Sequence, residues 1–534
     1  MSGPSQLLPA NASRLLRRAV RAHEQGNFDK AQRLYTAVLE QQPACFEALH
    51  DLGLVHYQYG RLDTALVLFQ EALKADLDRA EGFSSLGLVF HGLRQFERAL
   101  TSYDAGLRIA PNDPALRNRR GVALLELGRA AESLADFDRV LAAEADHFEA
   151  SANRGNALLK LNRVADALAA YDRALQSTPA NVQLLTNRAV ALRRLDRPQE
   201  ALSSARQALA RDPHFAQAQF TEAIARLSLG DFDAWQGYEA RWRVGLLASQ
   251  RRNFAAPLWL GRETLEGRTI LLHAEQGSGD TLQLVRYAAL VARRGGRVIL
   301  EVQRELVRLL SDVAGVDDVV ARGERLPPFD VHCPLFSLPL AFGTDEATIP
   351  ADVPYIVPPA NDSWPGCWPR YPSSQPLIGL VWSGGRVHDN DANRSLRFET
   401  LLPLLDVPDV SFVSLQHDVR ESDAPLLEAQ TTVFRFDRTF RDFADTAAAI
   451  APLDAVIAAD TAVAHLAGAM GKPLFLLLPF AADFRWLRAR RDTPWYPTAR
   501  LYRQPAFGDW SSVIAMLRHD LARAAFPPRL RRSA

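Results

Sequence analysis

At 534 residues the chain is too long for one hydrophobic core, and at roughly 100 to 200 residues per domain it predicts about three or four core-forming units. Lys+Arg and Asp+Glu number 62 each, so the formal charge is zero, which excludes bulk attraction to nucleic acid or to an anionic membrane; any polyanion site must be local. Lys30, Lys74, Lys160 and Lys472 are the only lysines, so nearly all positive charge is arginine. Cys45, Cys333 and Cys367 are odd in number and widely spaced, which argues against a disulfide framework or a clustered metal site and makes a reducing cytoplasm the expected compartment. The first residues, "MSGPSQLLPANASRLLRR", lack the apolar centre of a signal peptide, and no run reaches the roughly 18 apolar residues that span a bilayer.

Residues 12 to 215 fall into six registers of 34 residues without insertion, followed by a partial seventh. The eighth position is small, at Gly53, Gly87, Gly121, Gly155 and Ala189, where two helices must approach closely. The twentieth is also small, at Ala31, Ala65, Ala99, Ser133, Ala167 and Ala201. The twenty-fourth is aromatic at Tyr35, Phe69, Tyr103, Phe137 and Tyr171, and proline closes four registers at Pro43, Pro111, Pro179 and Pro213. Each unit is predicted to be a helical hairpin that buries its apolar face only by stacking on its neighbours.

These positions resemble the tetratricopeptide repeat, over residues 12–243. One departure is arginine where the family usually has leucine, at Arg120, Arg154 and Arg188. The sixth position is polar throughout: Asp51, Ser85, Arg119, Asn153, Asn187 and Thr221. In the family it faces the inside of the superhelix, so Asn153 and Asn187 are candidates to grip a peptide backbone; a solvated wall with no ligand is the alternative.

Beyond "GDFDAWQGYEARWRV" the helical period stops, and residues 244–267 are predicted as a linker. Apolar runs then alternate with helical ones: "TILLHA", "RVILEV", "DDVV", "PLIGLVW", "VSFVSLQ", "DAVIAAD" and "PLFLLLPF". This alternation predicts parallel sheets covered by helices, and the proline-rich interval Pro358 to Pro376 divides them into two Rossmann-like lobes, 268–360 and 375–525. The expected fold class is therefore multidomain: an all-α repeat array followed by an α/β half.

Ligands of open parallel sheets bind beyond the carboxyl ends of the strands, and three such corners carry polar residues. The first is "HAEQGSGD", where His273, Glu275, Gln276 and Asp280 crowd a turn made by Gly277 and Gly279. Leu282 stands where a dinucleotide fingerprint needs glycine, and no Gly-Lys-Ser/Thr follows, so neither phosphate motif is present. A carboxylate at a helix start caps the helix; Asp280 could also accept a proton from an incoming hydroxyl. The second corner follows "PLIGLVW", where Ser383, Gly384 and Gly385 precede Arg394 and Arg397, groups suited to a diphosphate. Asp389 to Asp391 has Asp-x-Asp spacing, which more often makes a turn than chelates a cation. The third is "AADTAVAHLAGAMGKP", with Asp460 and Thr461 at a helix start and His465 one turn on, an arrangement favouring an anion.

With these corners in view, residues 268 to 525 resemble glycosyltransferases of the two-lobed GT-B fold, in particular the bacterial heptosyltransferases (glycosyltransferase family 9-like). The resemblance rests on the corner ending at Asp280, the loop from Ser383 and "DTAVAHLAGAMGKP". It implies Asp280 as general base, with Gln276, Gly277 and Gly279 in the acceptor-side loop. Ser383, Gly384, Arg394, Asp460, Thr461 and His465 would surround the diphosphate of a nucleotide-sugar co-substrate, with no metal and no resident cofactor. The stretch from Phe480 to Gln504, "FAADFRWLRARRDTPWYPTARLYRQ", departs from the family's glycine-bearing loop and leaves nucleotide and sugar open. The implied function is transfer of a sugar to a hydroxyl acceptor, a protein recruited by the repeats or else a lipid or polysaccharide. The alternative is a non-catalytic interaction scaffold with a degenerate transferase half.

Overall fold

Thirteen consecutive α-helices, from Ala10–Glu24 to Ala216–Ser228, follow the 34-residue period in the computed structural model, which describes residues 9–359, 375–386, 390–436 and 440–524. The small eighth position exists to receive the aromatic twenty-fourth. A Cβ on Gly53 or Gly121 would lie 2.6 Å from the ring of Phe69 or Phe137, and Gly87 and Gly155 meet Tyr103 and Tyr171 as closely. All four rings are buried. The arginines at the seventh position have a role leucine could not fill: Arg120, Arg154 and Arg188 reach back to Asp104, Asp138 and Asp172, each with Nε 2.6 Å from a carboxylate oxygen. Half-exposed pairs of this kind contribute about 0.2–1 kcal/mol each, so they trim a packing set by the aromatic–glycine contacts.

The contacts divide the chain into Met1–Ala191 and Leu192–Ala534. The second unit opens with the repeat helices Pro198–Arg211 and Ala216–Ser228, followed by short helical turns from Phe232 to Arg243. Two wholly parallel sheets come next. The first contains β1 (Thr269–His273), β2 (Arg297–Val302), β3 (Asp318–Ala321) and β4 (Val331–Pro334), in the order β3-β2-β1-β4. The second contains β5 (Leu377–Val381), β6 (Ser411–Ser414), β7 (Val433–Phe434), β8 (Ala455–Ala459), β9 (Leu474–Leu478) and β10 (Ala499–Arg503), in the order β10-β9-β8-β5-β6-β7. Their near-continuous apolar sequences are those of strands covered on both faces. Part of the expected linker pairs with the first sheet: the Trp259 amide donates to the His332 carbonyl at 2.8 Å, and the His332 amide to that of Pro257 at 3.1 Å.

Within this unit one apolar cluster joins Trp235 and Tyr238 after the last repeat helix, Ile270 and Leu272 of β1, and Val456 and Leu476 of the second sheet. One face of each sheet therefore contributes to a common apolar cluster, while the other face of the second sheet has a cluster of its own around Ile378, Leu380 and Trp382. Cys45 and Cys333 are buried free thiols; Cys367, Asp389 and most of the proline-rich interval lie outside the described residues. Among the described residues, no helix is long and apolar enough to cross a membrane.

Because the ring of Phe137 fills the space over Gly121, Gly121→Ala is expected to lower stability by about 1–3 kcal/mol in urea unfolding. Adding Phe137→Leu should recover part of that loss by giving the new methyl group room.

Candidate functional site

Each sheet reverses its strand order once, and the candidate residues collect at those reversals. In the first sheet the reversal lies between β1 and β4; in the second it lies between β5 and β8. Crevices form at such points because the connections leave in opposite directions. The corner ending at Asp280 follows β1, the Ser383 loop follows β5, and Asp460 and Thr461 follow β8.

The crowding at the first corner has a structural cause. Glu275 is buried and receives Arg241, whose Nε lies 2.9 Å and Nη2 3.1 Å from its two oxygens. Arg241 is itself wholly buried and also bonds Glu239 and Ser337. Gln276 donates to the Tyr238 hydroxyl at 3.2 Å, while its carbonyl accepts from Gln303. His273 pairs with His332 at 3.2 Å on the face of the first sheet, and burial pushes its pKa down to about 3.

Asp280 stands in the first turn of the helix Ser278–Leu284. One carboxylate oxygen accepts the Gly277 amide at 2.9 Å, which is the capping arrangement; the other is 2.9 Å from Nη2 of Arg485. Gly279 permits a close approach, to the facing helix Ala462–Ala469: an added Cβ would lie 2.9 Å from the ring of His465 and 3.3 Å from Cα of Ala462. Asp280 and His465 are thus brought together across the two sheets.

The second and third corners meet each other. The Ser383 loop is braced by Gln416, whose side-chain oxygen accepts the Trp382 and Ser383 amides at 3.1 Å. Arg394 passes over Gly384, where a side chain would obstruct it, and donates to the Asp460 carbonyl at 3.0 Å. Arg397 is exposed. Asp391 accepts from Ser395 and Arg420, a local bracing role.

Thr461 precedes its helix in extended conformation yet makes no capping bond. An N-cap threonine ordinarily accepts a backbone N–H of its own helix. Instead its hydroxyl and that of Ser383 are buried without a partner, as is Nε of Arg394. Buried polar atoms left unpaired cost about 1–3 kcal/mol each, so these mark a place suited to a polar ligand.

His465 is held from three sides. Its Nδ1 lies 2.9 Å from the Tyr496 hydroxyl, its ring stacks on Trp486 at 5.3 Å, and its Nε2 is 3.5 Å from Arg485. Burial, with Arg485, Arg286 and Arg394 nearby, drives its pKa well below the usual 6.5, so the ring is neutral. Asp460 accepts the indole N–H of Trp486 at 2.9 Å, and burial raises its pKa against the pull of Arg485. Arg485, Trp486 and Tyr496 come from the stretch that matches no motif, so sequence reasoning missed them.

Asn153 donates to Asn118 and Asn187 donates to Asn156, both at 3.1 Å, as His50 bonds Ser85 at 2.9 Å. The polar ladder therefore cross-links neighbouring repeats, and a peptide would have to compete with those bonds.

Residues 16–78, 60–114, 85–142, 118–182 and 186–234 match the tetratricopeptide repeat family model. Protein FlbA of Caulobacter vibrioides is 27% identical over 326 residues, 56% of this chain and 54% of that protein, so the chain spans about half the length of this relative. Among solved structures, a tetratricopeptide repeat protein of Parabacteroides merdae is 16% identical with a TM-score of 0.38, covering 43% of this chain and 92% of that one. PilF of Pseudomonas aeruginosa is 17% identical with a TM-score of 0.37, covering 40% and 96%. The region from residue 16 to 234 is thus a tetratricopeptide repeat array, a class of structure suited to binding proteins.

Removing Arg241 strands Glu275 in a dry site, so Arg241→Ala should cost about 3–5 kcal/mol in denaturant unfolding. His273 and His465 have folded pKa values below the unfolded 6.5, so the unfolded chain takes up their protons first. Their contribution to stability is complete above pH 6.5 and is lost as pH falls below it, for His273 toward 3. For His273 the expected loss is about 2 kcal/mol between pH 6.5 and 5, and its NMR resonances should not titrate between pH 8 and 5.

Proposed function

We propose that the second unit is a GT-B glycosyltransferase that moves a sugar from a nucleotide-diphosphate donor to a hydroxyl acceptor, and that the repeats recruit a protein bearing that hydroxyl. The observation carrying this reading is the pair of unpartnered, buried hydroxyls of Ser383 and Thr461, beside Arg394 and across from Asp280, at the strand-order reversals of two parallel sheets. A diphosphate would supply the acceptors that these groups lack.

In this reading Asp280 takes the proton of the acceptor hydroxyl as its oxygen attacks the anomeric carbon, and the bond from that carbon to the diphosphate breaks. Charge then develops on the departing diphosphate. Arg394 and the Thr461 hydroxyl stabilise it, with the neutral His465 ring as a further hydrogen-bonding group; fixed donors of this kind are worth about 3–4 kcal/mol each in a water-poor site. Gln276, Gly277 and Gly279 shape the acceptor side. Asn153 and Asn187 would exchange their inter-repeat bonds for a peptide backbone.

A second reading, an interaction scaffold whose transferase-like half has no turnover, draws support from two contacts. Arg485 occupies one Asp280 oxygen, and Trp486 covers His465.

The two readings part on ligand binding. UDP, GDP and ADP, each at saturation, are expected to include one that raises the melting temperature, because a ligand that binds only the folded state stabilises it by mass action. Thr461→Ala should weaken that response. Asp280→Asn should keep the fold and lower transfer by about 10²–10⁴-fold in a radiolabelled-sugar assay. A flat response to all three nucleotides would favour the scaffold.

A further inference from the structure

Arg485 is the group on which the two sides of the site converge. Its Nη2 holds Asp280 beside the first sheet at 2.9 Å, and its Nη1 lies 3.5 Å from Nε2 of His465 beside the second. Asp280, Asp460 and Asp483 all draw on its charge. Asp483 lies 3.1 Å from its Nε, yet that N–H has no aligned acceptor, so the guanidinium is crowded by carboxylates without being fully bonded.

The segment carrying it is under load. Leu487 has φ 47° and ψ −166°, and Ala489 has φ 51°, backbone regions that side chains other than glycine's rarely occupy and that cost on the order of 1–3 kcal/mol each. Arg503 holds the strained turn by donating to the Leu487 carbonyl at 2.6 Å and that of Trp486 at 3.4 Å. On the far side, Arg488 donates to the Asp196 carbonyl at 2.9 Å, with a second contact of 3.0 Å to its carboxylate. A turn strained at its centre and pinned at its edges suits an element with two positions, which a ligand can bias only by binding one better than the other.

We propose that Arg485 is a ligand-operated lock on Asp280: in the free protein it occupies the carboxylate, and an arriving diphosphate draws the guanidinium to itself and frees Asp280. A planar guanidinium pairs with two phosphate oxygens as readily as with a carboxylate, and a diphosphate carries more charge than the one carboxylate it displaces. The lock rests on the transferase reading given above. It makes the base available only when a donor is seated, so the acceptor hydroxyl is not activated at an empty site. Arg485 is in this sense a positioning residue for Asp280 and a binding residue for the donor.

The test is calorimetric titration of the full chain with the nucleoside diphosphate that binds it, and separately with inorganic pyrophosphate. If Asp280 competes for Arg485, Asp280→Asn should bind either probe more tightly than the wild type, by on the order of fivefold. Relief of simple charge repulsion, with no competition for Arg485, would give a gain that survives the loss of Arg485. Arg485→Ala should weaken binding by about tenfold or more; Arg485→Lys, which keeps the charge and guards against misfolding, should fall between them. The gain from Asp280→Asn should vanish when combined with Arg485→Ala, which leaves no cation for the carboxylate to hold. Unchanged affinity in Asp280→Asn, or full affinity in both Arg485 variants, overturns the lock while leaving a transferase that binds its donor. No binding of any nucleotide to wild type or Asp280→Asn removes both the lock and the transferase reading.

Discussion

A guanidinium with no access to water must find all its acceptors inside the protein, and Arg241 does so by joining three parts of the second unit. It rises from the turn after the last repeat helix, pairs with Glu275 at the exit of β1, and bonds Ser337 after β4. A buried ion pair of this sort gains little over an apolar contact, but neither partner tolerates loss of the other. It therefore fixes where the chain leaves β1, and so where the helix carrying Asp280 begins. Trp235 and Tyr238 reinforce that anchorage from within the common apolar cluster. A boundary drawn after residue 243 would separate the sequence motifs cleanly, but the buried contacts that seat Asp280 run across it.

Charge at the site follows from the same dryness. The imidazole of His465 is kept neutral because burial and three arginines oppose its protonation. Asp460 is raised by burial although Arg485 pulls the other way. Close to these groups stand two hydroxyls with nothing to bond. The local balance is arginines beside orphaned hydroxyls and a neutral ring, in a chain whose formal charge is zero. It also shows why bulk charge said so little about this region: its arginines are a handful set against nearby aspartates.

The repeats were legible almost residue by residue, because a helical hairpin that stacks on copies of itself must place small and aromatic residues at constant spacing. Gly121 and Phe137 lie sixteen positions apart in the sequence, and the same sixteen-residue reach joins Arg154 to Asp138. The alternation of apolar and helical runs likewise revealed parallel sheets, and strand ends located the three corners, since ligand-facing loops follow strands in such sheets. At the corners, residue types showed chemical capacity without showing use. Asp280 reads as a cap or as a base, and both oxygens prove to be engaged; Arg394 and Arg397 read alike, and only the former reaches Asp460.

What the sequence by itself determined was therefore local and periodic: the repeat array, the strand and helix runs, and the polar corners, all set by spacings within a few dozen residues. Tertiary structure decided what lies between those corners. Arg485 is 205 residues from Asp280 and Arg241 is 34 residues from Glu275, and neither sits in a pattern that repeats or a motif that names its partner. Such pairs form because burial forces each charge to find an opposite one wherever the folded chain delivers it, and no spacing along the chain encodes that meeting.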